Sequence, residues 1–176
     1  MYALTHNGVI RLEDRAFIPA NPANLDYQEY LEWVNEGNEP RSLSPSAYHK
    51  WSDSEGTYVA DTSKKQELLQ LLKAKIDVET DENILNGFVY DDKNIKLSLE
   101  NQMNYKAEYD MRELLTYPHK IKAGNEYVML ESSDKYAAFY IAGVQYIRTC
   151  IEAGWNEKDT LDSKTTVELI EYMNNS

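Results

Sequence analysis

The spacing of apolar residues predicts an α+β fold, with three main helices and two short β-hairpins preceded by a small loop-rich N-terminal module. Three observations carry this prediction. Helical periods become clean only after residue 60, two short turn-forming segments interrupt them with extended, β-prone residues on either side, and four of the five prolines (Pro19, Pro22, Pro40, Pro45) fall in the first 60 residues. The chain therefore divides into a hairpin and arm module with one helix, residues 1–60, and a helical α+β domain, residues 61–176. A chain of 176 residues is long enough to bury roughly 70% of its unfolded surface, so a true core is expected.

In the module, residues 2–4 and 9–12 flank His6-Asn7-Gly8, and Asn-Gly between extended segments signals a hairpin. A helix over 26–36 follows, with Asp26 as its cap and Tyr27, Tyr30, Leu31 and Val34 recurring at i, i+3, i+4, i+7. Gly37 supplies its left-handed stop. Residues 37–46 read as a linker, and 48–51 with 57–60 form a second ribbon.

In the domain, Leu68, Leu71, Leu72 and Ile76 make one stripe of a helix over 63–76, with Lys73 and Lys75 in its last turn, where they oppose the macrodipole favourably. Thr80 caps a short helix ended by Gly87. Residues 88–90 pair with 95–97, and Ser98 caps a helix running to about Thr116. Its inward face is read as Leu99, Met103, Ala107, Met111 and Leu114 or Leu115, and Pro118 ends it. Residues 119–123 and 126–130 form a hairpin on Gly124-Asn125. Ser132 or Ser133 caps the longest helix, 134–153, whose apolar face is Tyr136, Phe139, Tyr140, Val144, Ile147 and Ile151, and Gly154 closes it. Ser163 or Thr165 caps the last helix, with Thr165 and Glu168 at capping-box spacing ahead of Val167, Ile170 and Met173.

Composition narrows the function. Thirty acidic against eighteen basic residues give a net charge of −12, which opposes the phosphate neutralisation that nucleic-acid binding needs. No apolar run approaches the ~18 residues of a bilayer span, so no membrane partner is expected, and the N-terminus does not read as a secretory signal. A single cysteine, Cys150, makes no intramolecular disulfide and reads as a small buried hydrophobe. Fourteen Tyr and three Trp against three Phe lean towards half-buried surfaces and interfaces.

Chemistry is sparse. His6, His49 and His119 are scattered, the close acids Glu79, Asp81 and Glu82, like Asp91 and Asp92, do not match a calcium loop, and single glycines form no phosphate cradle. No catalytic, cofactor or metal-binding residues are therefore assigned, and the chain is read as no enzyme. Phe17, Ile18, Tyr27, Tyr30, Trp33 and Trp51 exceed what so small a module needs for its own core, and are read as partner-binding anchors. Whether they dock on the 61–176 domain or on another protein is left open by the sequence.

Ile76-Asp77, Thr80 and Ile84 before Gly87-Phe88, Tyr90, Leu97-Ser98, Gln102-Met103-Asn104, Tyr117-Pro118, Tyr127, Leu130, the long helix from Asp134 and the closing 166–170 segment form one pattern. It resembles a small-domain family on tail-fibre-associated proteins of tailed bacteriophages and prophages, over about 65% of the chain. The module has its own likeness to a segment of phage tail-fibre-linked proteins, through Gly8-Val9-Ile10-Arg11, Asp14, Ala16-Phe17-Ile18-Pro19, Asn21-Pro22-Ala23-Asn24, Asp26-Tyr27, Tyr30-Leu31, Trp33 and Glu36-Gly37-Asn38. Family members often have Gly after the residue matching Asp14, where this chain has Arg15. The resemblance implies a structural virion component at the tail fibre or baseplate, an adaptor or decoration subunit. Its partners would be other fibre or baseplate proteins, and it could be a homo-oligomer of three- or six-fold symmetry. Alternatives are a fibre-assembly chaperone that binds the fibre during maturation and is not retained in the virion and, more remotely, a polysaccharide hydrolase.

Overall fold

The structure is a computed structural model and describes residues 1–175. Among these it has the α+β character expected, with five α-helices and four small antiparallel sheets. Residue contacts separate two compact units, Met1–Lys65 and the chain from Gln66 onward.

The first unit opens with a three-stranded sheet, β1 (Tyr2–Thr5), β2 (Gly8–Arg11) and β3 (Phe17–Pro19). Thr5 pairs with Gly8, so His6 and Asn7 alone make the turn and Gly8 already belongs to the strand. Its lack of a side chain has another cause, because a Cβ there would lie 2.1 Å from the carbonyl oxygen of Ile18 on β3. The third strand was not anticipated. It follows from the loop before it, where Asp14 binds the amide of Ala16 and the Arg11 side chain, and where Arg15 adopts φ 61°. Glycine takes that left-handed backbone without a Cβ penalty.

Helix α1 (Leu25–Asn35) is capped by Asn24, whose side chain accepts from the Tyr27 amide at 3.2 Å. This corrects the expectation for Asp26, which sits inside the first turn and pairs with Arg11 at 3.1 Å. Gly37 ends the helix at φ 91°, as read from the sequence. Tyr2, Val9, Ile18 and Tyr30 make the unit's core, flanked by Tyr27, Trp33 and Val34. The segment read as a linker is partly structured, since Arg41 exchanges backbone hydrogen bonds with Tyr2 and Leu4 at 2.9 Å each along the outer edge of β1. A ribbon of β4 (His49–Ser52) and β5 (Thr57–Ala60) follows.

The second unit departs from expectation in helix lengths. α2 is one helix, Lys65–Asn86, because nothing between Ile76 and Thr80 breaks the backbone ladder, and Thr80 is an interior residue. Gly87 (φ 87°) ends it, and a Cβ there would come within 1.8 Å of the Ile95 carbonyl oxygen. Strand β6 (Phe88–Tyr90) pairs with β7 (Lys93–Ile95) rather than with 95–97. Asp91 and Asp92 alone form the turn, both at positive φ, the signature of a type I′ hairpin.

Helix α3 (Leu99–Asp110) is capped by Ser98 and gives way after Met111 to a 3₁₀ turn, Arg112–Leu114. The hairpin β8 (His119–Ala123) and β9 (Glu126–Leu130) has the register read from the sequence, with Gly124 at φ 63°. Helix α4 spans Ser133–Asp162 and runs straight through Gly154, which is buried rather than terminal. A Cβ on Gly154 would lie 2.4 Å from the Thr80 hydroxyl oxygen of α2, so glycine serves helix-to-helix approach there. Helix α5 (Thr166–Asn175) starts on the capping box as expected, with Thr165 and Glu168 exchanging backbone-to-side-chain bonds at 2.7 and 3.3 Å. It makes a fourth helix in a unit read as having three main ones, and buries Leu169 as well as Ile170.

Two predictions follow from the turns. Gly87→Ala adds left-handed strain and a collision with the β7 backbone, so urea unfolding should show a loss of about 2–4 kcal/mol. Arg15→Gly removes strain at an exposed turn and should stabilise by about 0.5–1 kcal/mol after the entropy of glycine is counted, and an unchanged or lower midpoint would refute this account of the loop.

Candidate interaction surfaces

The six aromatic and apolar residues singled out in the module do not form one exposed patch. Ile18 is 1% exposed and Tyr30 8%, so both belong to the unit's own core, which corrects their reading as surface anchors. Tyr2 explains the difference, because it meets Tyr30 and Trp33 edge-on with ring centroids 5.1 Å away in each case. Such contacts favour packing beyond their buried area. Tyr27 lies against Tyr30 at 5.5 Å and stays half-buried, as does Trp33. Phe17 is the outward member of the set at 56% exposure, since neighbouring residues of a strand point to opposite faces and Ile18 takes the inner one.

Trp51 is engaged elsewhere. Its ring meets Tyr58 edge-on across the ribbon at 5.2 Å, the Arg41 guanidinium covers it at 4.7 Å, and its indole N–H donates to Asp53 Oδ1 at 3.0 Å. The same oxygen accepts from Arg41 at 2.8 Å. Trp51 thus joins the ribbon to the segment at Arg41.

Charge fixes the arm loop. Arg11 binds Asp14 through two hydrogen bonds, 2.9 and 3.1 Å, and Asp26 through a third at 3.1 Å. The Arg11 side chain, followed by the Ala16 amide, holds the Asp14 carboxyl at about 2, well below its usual value.

The second unit carries a concavity walled by aromatic rings. Phe139 of α4 is its hub, with Phe88 at 5.9 Å, Tyr90 at 5.3 Å and Tyr105 at 5.2 Å, and Tyr109 stacks on Tyr140 at 4.4 Å. Between α3 and α4 these rings leave an open cleft of about 140 Å³, with Phe88, Leu97, Tyr105 and Phe139 at its walls and Tyr140, Val144 and Ile147 along α4. A cavity of about 150 Å³ with apolar walls accepts a benzene-sized group. Gly143 also lines the cleft, and even a methyl there would stand only 3.4 Å from the Phe88 ring. One polar side chain, Gln102, faces the cleft. Its amide nitrogen donates to the Leu97 carbonyl at 2.7 Å, which leaves the amide oxygen as an acceptor for a ligand N–H or O–H.

Beside the cleft, Glu108 ties three elements together. Its Oε2 accepts from the Tyr136 hydroxyl at 2.6 Å and lies 3.3 Å from His119 Nε2. Burial first, then the hydrogen bond to Glu108, pushes the Tyr136 hydroxyl far above the ordinary tyrosine range. A phenol held protonated between helices is a packing tie, and it explains His119 without a reaction. His49 bonds Ser46 Oγ at 2.8 Å, and His6 is an exposed turn residue. Among the described residues no group of three His, Cys, Asp or Glu is placed to hold a metal ion, and no helix is long and apolar enough to cross a membrane.

Sequence reasoning missed the cleft because it placed Leu99, Met103, Ala107, Met111 and Leu114 or Leu115 on the inward face of this helix and left Tyr105 and Tyr109 out of it. Of these only the Leu115 alternative packs on the core, together with Tyr105 and Tyr109. Leu99, Met103, Met111 and Leu114 are 73%, 73%, 52% and 85% exposed, and Ala107 is exposed as well. The available signal was Tyr105 and Tyr109 at i, i+4, neighbours on one helix face once tyrosine counts as apolar.

The chain matches no family model, no curated protein and no solved structure. The likeness to tail-fibre-associated proteins therefore rests on the residues quoted for it.

Asp14 supplies a pH test. Its carboxyl is depressed in the fold, so its stabilisation is complete above the usual carboxylate value and is lost as pH falls towards about 2. A carbon-detected NMR titration should place the Asp14 midpoint near 2, and Arg11→Gln should return it towards the ordinary range.

Proposed function

We propose that this chain is a structural component of a tailed-phage tail, an adaptor or decoration subunit that binds other proteins of the fibre or baseplate. The cleft between α3 and α4 carries the binding part of this reading. It is open, walled by aromatic rings and offers one fixed amide acceptor, which suits a single apolar or aromatic side chain inserted by a partner as an anchor. The tail setting is supported by the two stretches of resemblance, which cover different parts of the chain and imply the same location. In the module the surface for such contacts reduces to Phe17 with the exposed edges of Tyr27 and Trp33.

The titratable cluster of Glu108 with Tyr136 and His119 is engaged in joining α3, α4 and β8. The protein's localisation in this proposal is the assembled tail, after synthesis in the bacterial cytoplasm.

Two measurements test the proposal. Quantitative mass spectrometry of purified particles should find the chain in a copy number that is a multiple of three or six, and its absence from particles would overturn the structural role. Val144→Lys puts a charge at a half-exposed cleft position, and should reduce incorporation at least ~10-fold with little change in melting temperature. Full incorporation of that folded variant would remove the cleft from the interface.

A further inference from the structure

An apolar stripe, flanked by exposed Glu100 and Asp110, runs along α3 and into the 3₁₀ turn that follows it. Leu99, Met103, Ala107, Met111 and Leu114 are all exposed. Their order reads the same in both directions: Leu, Met, Ala, Met, Leu, with the smallest residue at the centre. The axial spacing is symmetrical as well. Leu99 and Met103 are four residues apart in α-helix, about 6 Å at 1.5 Å per residue, and Met111 and Leu114 are three apart where the 3₁₀ turn takes over, about 6 Å at 2.0 Å per residue.

We propose that this face pairs with the same face of a second copy of the chain, in an antiparallel two-fold contact centred on Ala107. In that arrangement Met103 meets Met111 of the other copy, Leu99 meets Leu114, and the two Ala107 methyls allow close approach of the helices. A two-fold interface must be self-complementary, with each residue serving as its partner's partner, and a palindromic stripe meets this condition.

Charge does not oppose the register: about the Ala107 centre Asp110, paired with Lys106 of its own helix, falls opposite Asn104 of the second copy, and Glu108 is turned inward to Tyr136 and His119. Area permits it too: side chains with exposures of 52–85% present on the order of 500 Å² per copy, the size of an apolar patch that is often functional, and their complete burial gives about 1,000 Å² per pair, the least a specific interface is expected to bury. The inference is independent of the tail setting, and joined to a three-fold arrangement it would give six copies.

Sedimentation of the full chain should show twice the chain mass at high micromolar concentration. Met103→Glu with Leu114→Glu should weaken self-association at least ~30-fold, and because both positions are exposed the variant should melt like the parent. In a Cys150→Ser background, Ala107→Cys should cross-link to a disulfide dimer under mild oxidation, whereas Val89→Cys, also at an exposed position, on β6, should not. A chain that is monomeric at all concentrations overturns the proposal, as does a dimer that the double variant leaves intact. Where the Ala107→Cys variant is monomeric and its new thiol resists labelling, the face belongs to a contact within one chain; where that monomer is labelled and binds only other tail proteins, the face belongs to them, and either result overturns the self-pairing.

Discussion

The second unit is organised by what each of its elements sets against helix α4. A helix of 30 residues spans about 45 Å, more than one compact core needs, and it serves two packing zones in succession. In its first half Tyr136 and Phe139 carry the hairpins and α3, through ring contacts with Phe88, Tyr90 and Tyr105. In its second half Gly154 admits α2 so closely that the Thr80 side chain fills the space a Cβ would take. Beyond that point ion pairs from Lys73 to Asp162 and from Lys158 to Asp77 link the helices, and Leu72 and Leu161 are both buried. The Tyr146 hydroxyl donates to the Asn83 carbonyl at 3.0 Å, which fixes the register between them.

That single dependence explains where the sequence was legible. Local chemistry was readable wherever the determining atoms lie within a few residues: the Thr165–Glu168 capping box, the Ser98 and Ser132 caps, and the β8–β9 turn on Gly124. It failed where the determining partner is distant in the chain. Gly154 looks like a stop signal because helices commonly end at glycine, but its partner is Thr80, far back on α2. Gly8 looks like turn chemistry, yet its constraint is the carbonyl of Ile18 on a strand that carries only one strongly buried residue. Asp26 lost its capping role for a similar reason. Asn24 was free to cap, and Arg11 on β2 drew Asp26 into an ion pair.

The inverted face of α3 has a different cause. With three Phe in the chain, aromatic packing falls to tyrosine, which buries a ring as large as that of Phe provided its hydroxyl finds a partner or solvent. Tyr136 meets the condition through Glu108 and Tyr117 through the Arg112 carbonyl. Residues 102, 105 and 109 therefore outcompete 99, 103 and 111 for the interior, because two tyrosine rings that pack on Phe139 and Tyr140 remove more apolar surface from water than leucine and methionine at the same sites. A rule that ranks Leu and Met above Tyr for burial is sound on average, and it fails here because the ring partners are already in place on α4. The same substitution runs through the module, where Tyr2 and Tyr30 take the place of phenylalanine around Ile18 and leave Phe17 outside.

Putting tyrosine inside has a consequence for the surface. The side chains displaced from the α3 interior are still apolar, so the helix ends up with two hydrophobic aspects instead of one. Its inner aspect, at Gln102 and Tyr105, lines the cleft with α4, and its outer aspect is the Leu99 to Leu114 stripe. An amphipathic helix needs one apolar stripe to fold against its neighbours, and the tyrosines satisfy that need. The outer stripe is then surplus to folding, and exposed Leu and Met carry a standing cost in water that only an interface recovers. Because the two aspects lie on different sides of one rigid helix, occupation of the cleft by a partner side chain leaves the stripe free. On the two proposals made above, α3 with its terminal 3₁₀ turn would join a copy of the chain on one side and an unrelated partner on the other.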